Sequence, residues 1–287
     1  MATKVGLIYN ATRKENSGII DGLEKFLHEK GISTWRGKTA VKDTDWKFLK
    51  EDLDFAVVLG GDGTLLGASR MLGPKNIPMF GLNTGHLGFL TEGRPGNVLN
   101  MLEKVLSKQY RIEERAMLCA YILSTNPLNT EKGPYFALND VILSRGTNYK
   151  MVHITLNIDD KPVADYIADG LIISTPTGST AYALSAGGAV MDPEIRAFEV
   201  VPICAHSLTS RPYIVSDTKA ITITFNRPHE GTILQNDGQE TISILDGEKI
   251  RVTRAAHTAK LIRLLGEESD FYWTIRQKFH WGMPTAQ

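Results

Sequence analysis

The sequence predicts an α/β protein in two parts, a doubly wound α/β domain followed by a β-rich, sandwich-like domain. Three observations predict it. Over roughly the first hundred residues, short apolar runs alternate with helical patterns, which implies a parallel sheet. Beyond about Tyr110, period-two segments separated by turn residues imply antiparallel strands. A last helical stretch, Phe271–Trp281, closes the chain. The boundary near residue 107 is a change of pattern, with no Pro-rich linker, internal repeat or low-complexity tract to mark it.

Element by element, Val5–Tyr9 reads as a short apolar strand. Ile19, Leu23, Phe26 and Leu27 recur at helical spacing, and Gly31 follows as a stop. Phe55–Leu59 is a continuous apolar run, as expected of a strand buried on both faces. Leu65–Leu72 reads as helix, Ile77–Phe80 as strand, and Asn97–Leu106 as a helix entered through a Pro95-Gly96 turn. In the second part, Val152–Ile158 alternates at period two ahead of an Asp159-Asp160 turn. Ile221–Phe225 alternates likewise, as does Thr241–Leu245 before Asp246-Gly247.

Composition bounds the function. The 287 residues suffice for one large domain or two ordinary ones, and 32 basic side chains balance 32 acidic ones. No global basic field points to nucleic acid or to an anionic membrane. No apolar stretch is long enough to span a bilayer, and the start Met1–Gly6 has no secretory pattern. Cys119 and Cys204 lie in apolar, strand-like segments and are read as buried free thiols. Together these features lead us to expect a cytoplasmic protein.

The chemistry concentrates in Gly60-Gly61-Asp62-Gly63-Thr64, between a buried strand and a helix. In an open α/β sheet the carboxyl ends of the strands are where ligands bind. Glycines let backbone amides approach phosphate oxygens, and the following helix turns its positive end to the same place. A carboxylate repels phosphate, so Asp62 needs a different role. It could accept a proton from an attacking hydroxyl, or hold Mg²⁺ against the phosphates. The plain alternative is a tight turn with Asp62 as helix N-cap, but three flanking glycines exceed what a cap requires. The loop is neither a Walker A motif nor a dinucleotide fingerprint.

Two further segments carry polar groups on apolar strands. Asp169–Tyr182 runs from an apolar strand into Ser174-Thr175-Pro176-Thr177-Gly178-Ser179-Thr180, with Ala181–Ala186 read as the start of a helix. Its hydroxyls and the ring of Tyr182 suit an adenine or a ribose, and a capped loop is the competing reading. Asn139-Asp140 places two polar side chains inside a strand-like run, read as a ligand contact or as a local turn or bulge. His86 and His206 admit a reading as catalytic bases or metal ligands but have no partner at metal-ligand spacing and are read as structural; Arg211-Pro212 is read as a structural turn, with a phosphate contact by Arg211 as the alternative.

These blocks, in this order and spacing, resemble NAD kinase: Gly60–Thr64, Asn83–Leu90, Asn139-Asp140 and Asp169–Tyr182. The resemblance runs from about Val5 to the C-terminal helix. Gly-Gly-Asp-Gly alone is shared with diacylglycerol kinases, sphingosine kinases and phosphofructokinases, whereas Thr-Pro-Thr-Gly-Ser-Thr-Ala-Tyr is far more specific. The resemblance implies transfer of a phosphoryl group from ATP or polyphosphate to the 2′-hydroxyl of the adenosine ribose of NAD, with Asp62 as proton acceptor and Mg²⁺ carried mainly by ATP rather than by protein ligands. It implies a phosphate loop of Gly60, Gly61, Gly63 and Thr64, and an adenosine site lined by Gly63, Leu66 and Phe89. Asn139 and Asp140 match the pair that holds the ribose and the rest of the dinucleotide, and Asp169 an acidic residue near the nicotinamide half. Thr180, Ala181, Tyr182 and Ser185 match the adenine-binding turn. Lys150 and Gln239 match further NAD contacts, the latter within Asp237-Gly238-Gln239. The resemblance also implies a C-terminal helix that returns to the first domain (1–106 plus 266–287, against 107–265) and a homodimer or homotetramer.

The chain departs from the family pattern in three places. Ile167 stands where many relatives have Arg, with Lys150 as a compensating cation; Ala189 stands where Pro is usual; and Asp140 replaces the commoner Glu. Two other readings compete. A lipid or sphingoid-base kinase needs an apolar acceptor pocket, against which the polar Thr180–Ser185 turn argues. A non-catalytic dinucleotide-binding regulator gains little from a carboxylate beside phosphates.

Overall fold

The computed structural model describes residues 4–10, 15–39, 52–85, 88–92, 97–124, 131–147, 149–227, 231–266 and 270–280. In chain order the first elements are β1 (Lys4–Asn10), α1 (Glu15–Glu29), β2 (Ser33–Thr39), β3 (Phe55–Leu59), α2 (Asp62–Leu72), β4 (Met79–Leu82) and α3 (Val98–Leu106). Strands dominate from there: β5 (Tyr110–Ser124), β6 (Lys132–Ala137), β7 (Asp140–Ser144), β8 (Val152–Ile158), β9 (Lys161–Ala168) and β10 (Gly170–Ser174). After the short α4 (Tyr182–Ser185) come β11 (Ala197–Ile203), β12 (Tyr213–Ser216), β13 (Ile221–Arg227), β14 (Ile233–Asn236), β15 (Glu240–Ser243), β16 (Glu248–Leu264) and α5 (Phe271–Phe279).

The chain divides into two compact units, residues 1–114 with 258–287, and residues 115–257. The division falls inside β5 and β16, two long continuous strands, so no loop or change of composition marks it. Residue 258 onward groups with the N-terminal part, and the helix α5 with it.

In the first unit, β1 pairs in parallel with β2 on one side and β3 on the other, and β3 pairs in parallel with β4. The end of β16 adds to β4 through Leu261 and Met79. All five residues of β3 are buried, which is why its sequence is unbroken by polar residues. Leu23 and Leu27 of α1 and Leu102 and Val105 of α3 pack with Val5, Val57, Leu59 and Phe80 of the sheet. The strand β2 escapes sequence reading because, among the described residues, it pairs only with β1, and it reads Ser-Thr-Trp-Arg-Gly-Lys-Thr, the polar composition of an edge strand. The strand expected at Ile77–Phe80 forms instead over Met79–Leu82: Pro78 has no N–H to give a ladder, although its carbonyl still accepts from the Ala56 N–H. The expected helix at Leu65 begins three residues earlier, at Asp62.

The second unit is an antiparallel sandwich. One sheet holds β16, β13, β8 and β9, with β5 and β6 paired beside them; the other runs β12-β11-β10-β7-β14-β15. Side chains from both fill one core, among them Ile154 and Leu156 of β8, Val141 and Leu143 of β7, and Leu171 and Ile173 of β10. Between the last two, Ile172 points to the opposite face and packs on Ala183 of α4. Burial on both faces explains the unbroken Leu171-Ile172-Ile173 run. It also seats α4 on the outer side of that sheet. Asp159 and Asp160 take positive φ (48° and 61°), as the hairpin from β8 to β9 requires. Cys119 is buried, whereas Cys204 is exposed, contrary to expectation: it lies just past β11, at φ 47°, where the chain has left the sheet.

Candidate active site

The glycine loop of the first unit continues the sheet before it turns. The Gly60 N–H donates to the Leu82 carbonyl (2.9 Å), and the Thr64 and Leu65 N–H groups both donate to the Gly61 carbonyl, closing the first turn of α2. A Cβ at Gly60 would stand 2.2 Å from Thr64 Oγ1, so packing inside the loop requires that glycine. At Gly61 a Cβ would meet nothing within 4 Å. Protein packing therefore does not explain the second glycine.

Asp62 is the first residue of α2 and not its cap. The N-cap is Gly61, in extended conformation and without a side-chain bond. The Asp62 carboxylate turns to the segment after β4 instead. Its Oδ2 accepts from the Phe89 N–H (2.8 Å), and its Oδ1 from the Leu90 N–H (3.1 Å) and the Thr91 hydroxyl (3.4 Å). Gly88 makes this approach possible, since a Cβ there would lie 2.0 Å from Asp62 Oδ1. An ionised carboxylate offers about four lone-pair positions; these contacts use three. Asp62 is half-buried and Gly63 exposed, so the group is oriented without being sealed. Leu66 is buried on α2. The Phe89 ring packs against Phe271 and Phe279 of α5 (centroids 6.2 and 5.9 Å away), with Lys278 Nζ 4.6 Å from its centroid. His86 lies outside the described residues.

In the second unit the strand-like run at Ala137–Ile142 is interrupted, because β6 ends at Ala137 and β7 begins at Asp140. The bend between them presents three N–H groups to one carboxylate. Asp237 Oδ2 accepts from Leu138 (3.1 Å), and its Oδ1 from Asn139 (2.7 Å) and Asp140 (3.3 Å). Asp237 and Gly238 both take positive φ (50° and 63°), the sign pattern of a type I′ turn, at the tip of the β14–β15 hairpin. Asp140 is buried, and burial first, then the charge of Asp237, pushes its carboxyl up to about 7. Sequence reasoning named Asp237 only as part of a motif and gave it no role. The one signal for it was an Asp before Gly in a turn.

The Ser174–Tyr182 segment splits into two halves. The Thr175 N–H donates to the Asn139 carbonyl (2.8 Å) and its hydroxyl to the Leu138 carbonyl (2.6 Å). A Cβ at Gly178 would stand 2.1 Å from the Asn139 oxygen. Ser179 Oγ donates to the Pro176 carbonyl and accepts from the Met191 N–H, while Arg115, itself buried, donates to the Thr177 hydroxyl (3.2 Å). Thr175 and Ser174 (Oγ to the Asn139 carbonyl, 3.4 Å) fasten the turn to the Leu138–Asp140 bend, while Thr177 and Ser179 bond Arg115, Pro176 and Met191, so the capped-loop reading accounts for all four hydroxyls. Thr180 and Ala181 are half-buried, and Tyr182 and Ser185 exposed. The Thr180 hydroxyl donates to the Thr177 carbonyl (3.4 Å), and the side chains of Tyr182 and Ser185 face outward.

Asp169 forms an ion pair with Arg145 (Nε to Oδ1, 2.7 Å), a residue that sequence reasoning missed. Arg145 directly follows β7 and Asp169 directly precedes β10, two strands whose antiparallel register sets Ser144 opposite Gly170. Only the register brings the two together. Ile167 is exposed on β9, and Lys150 is exposed ahead of β8. Gln239 is exposed in the hairpin tip, its N–H donating to the Asn236 carbonyl (2.9 Å). The Ala189 N–H donates to the buried Glu199 carboxylate (2.7 Å), a bond that a proline there would forfeit. His206 is exposed. Arg211 spends its guanidinium on the Leu208 and Ser210 carbonyls of its own turn. Among the described residues no three His, Cys, Asp or Glu side chains are grouped to hold a metal ion, and no helix is long and apolar enough to cross a membrane.

The chain matches the profile of the ATP-NAD kinase N-terminal domain over residues 22–110 and that of the ATP-NAD kinase C-terminal domain over residues 138–264. It is 40% identical over 228 residues to an NAD kinase of Carboxydothermus hydrogenoformans, covering 79% of this chain and 80% of that protein. It is 34% identical to an NAD kinase 2 of Synechocystis, covering 98% and 96%. A solved NAD kinase from Archaeoglobus fulgidus in complex with ATP is similar with a TM-score of 0.75 and 26% identity, over 95% of this chain and 98% of that one. A yeast NADH kinase complexed with NADH shares the fold, with a TM-score of 0.85 at 23% identity over 99% and 89%.

Proposed function

The chain belongs to the NAD kinase family, and from that premise we propose that it phosphorylates the 2′-hydroxyl of the adenosine ribose of NAD, with Asp62 as the proton acceptor. The observation that supports this reading is the hold on Asp62. Two amides and a hydroxyl orient its carboxylate at the mouth of α2, and an oxygen lone pair stays free to take a proton. An alcohol does not ionise near neutrality, so the proton moves to Asp62 as the phosphorus–oxygen bond forms. Positioning supplies most of the acceleration.

The donor is ATP, or polyphosphate in its place, with the phosphates against Gly60, Gly61, Gly63 and Thr64. Mg²⁺ arrives on the donor phosphates, where it neutralises their charge. Gly63, Leu66 and Phe89 line the adenosine site, and Thr180, Ala181, Tyr182 and Ser185 take the adenine. Asn139 and Asp140 hold the ribose and the remainder of the dinucleotide, with Lys150, Asp169 and Gln239 as outer contacts. The protein works as a cytoplasmic homodimer or homotetramer.

The test is a panel of ATP, polyphosphate and no donor, crossed with NAD, NADH and a diacylglycerol or sphingoid base as acceptors, with formation of the phosphorylated acceptor as the readout. NADP is expected from ATP, Mg²⁺ and NAD. Failure of every donor with NAD, alongside phosphorylation of a lipid, overturns the reading.

A further inference from the structure

We infer that Arg263 is a positioning residue for phosphoryl transfer, acting on Asp62 through the Phe89–Leu90 peptide; this rests on Asp62 being the proton acceptor. Arg263 lies near the end of β16, and its side chain is only 8% exposed. Its Nη2 donates to the Phe89 carbonyl (3.2 Å) and its Nη1 to the Leu90 carbonyl (3.3 Å). The Phe89–Leu90 peptide thus has its oxygen on the guanidinium and its N–H on Asp62 Oδ1 (3.1 Å). One planar group, whose atoms cannot move independently, bridges a buried cation and the proposed base. Its dipole runs in the sense that both ends favour, positive hydrogen toward the carboxylate and negative oxygen toward the guanidinium.

The rest of the surroundings hold the arginine in place. Glu92 (3.6 Å) and Glu113 (3.4 Å) pair with the guanidinium, as a buried charge requires. Glu92 is itself tied down: its N–H donates to the Gly81 carbonyl, its carbonyl accepts from Asn83, and its carboxylate accepts from the Leu264 N–H. Neutralising the two glutamates needs no contact with the Phe89 and Leu90 carbonyls. Those two contacts are what a positioning role adds to a structural ion pair. A fork of donors in fixed geometry makes them, which a lysine ammonium does not reproduce.

The test compares Arg263→Lys, Asp62→Asn and the double variant, reading kcat, KM for NAD and ATP, and thermal unfolding. A second variant, Arg263→Met with Glu92→Gln and Glu113→Gln, removes the cation without leaving unpaired buried charge. We expect Arg263→Lys to fold and to lose about tenfold to a hundredfold in kcat, with both KM values within about threefold. In the Asp62→Asn background the same substitution should cost under about threefold more, because its route of action is already gone. Equal losses in both backgrounds, or a loss confined to thermal stability, overturn the inference. So does normal turnover of both folded Arg263 variants beside an inactive Asp62→Asn, which leaves the reading of Asp62 intact. Full turnover by Asp62→Asn overturns the acceptor reading and this inference with it.

Discussion

Each unit of the molecule fastens a carboxylate to a run of backbone N–H groups, and the two differ in what is left over. Asp62 rests on Phe89 and Leu90 at the start of a helix and stays half-exposed. Asp237 rests on Leu138, Asn139 and Asp140 and is 8% exposed. The same device gives an open carboxylate, the one proposed as the base, and a closed one that shapes the backbone around it. The closed one also acts at short range: its charge adds to burial in raising the Asp140 carboxyl. Exposure, and not hydrogen bonding, separates the two carboxylates.

Removing each charge is the most direct way to break this comparison. Asp62→Asn should lower kcat for NADP formation by about two to four decades, the range of a lost general base. Asp237→Asn should act mainly on KM for NAD, through the Asn139-Asp140 bend. A reversed pattern would mean that the roles are assigned to the wrong carboxylates.

The paired glycines sharpen it. In Gly88→Ala the new methyl meets the Asp62 carboxylate (2.0 Å), so kcat should fall about tenfold to a hundredfold as the group is displaced. In Gly178→Ala it meets the Asn139 backbone (2.1 Å to oxygen), so unfolding by denaturant should show a loss of about 1–3 kcal/mol together with a raised KM for NAD.

Titration tests the closed carboxylate. The Asp140 pKa is raised from 3.8 to about 7, so the folded chain binds a proton there that the unfolded chain releases. Its contribution to stability is therefore fully present below about 4 and is lost as pH rises through about 7. Asp140→Asn should flatten that part of the curve of Tm against pH. If ionised Asp140 holds the ribose, KM for NAD rises as pH falls below about 7, and Asp237→Asn moves that rise to lower pH. An unmoved profile would show that the charge of Asp237 does not reach Asp140. The smallest effect belongs to Tyr182, which is 46% exposed. Losing a stacked ring worth about 0.5–1.5 kcal/mol, Tyr182→Ala should raise KM for NAD up to about tenfold with kcat little changed, as initial rates would show.

Legibility followed locality. β3 and the β8 hairpin were readable because burial on two faces, or on one, leaves an apolar run or an alternation in the chain itself. β2 was not, because an edge strand has no apolar face to declare. The Asn139-Asp140 pair was visible as polar residues in an apolar run, while the interruption of the strand at Leu138 was not, since its cause is a carboxylate 99 residues away. The Thr-Pro-Thr-Gly-Ser-Thr segment was legible as a polar turn. Which hydroxyls it spends inward was decided by contact with Leu138, Asn139 and Met191.

By itself the sequence determined the two-part α/β and β-rich organisation, the family, and the placement of Asp62 in the turn that joins the carboxyl end of a buried strand to a helix. All of these are written in neighbouring residues. Only the tertiary structure decided that Asp62 leans on amides 27 and 28 residues further on, that Arg263 backs them from 174 residues beyond Phe89, and that Arg145 meets Asp169. The reason is physical. A backbone N–H is the same in every residue, so nothing in a residue's identity says which carboxylate it will meet. Strand register and burial make that choice when the chain closes on itself.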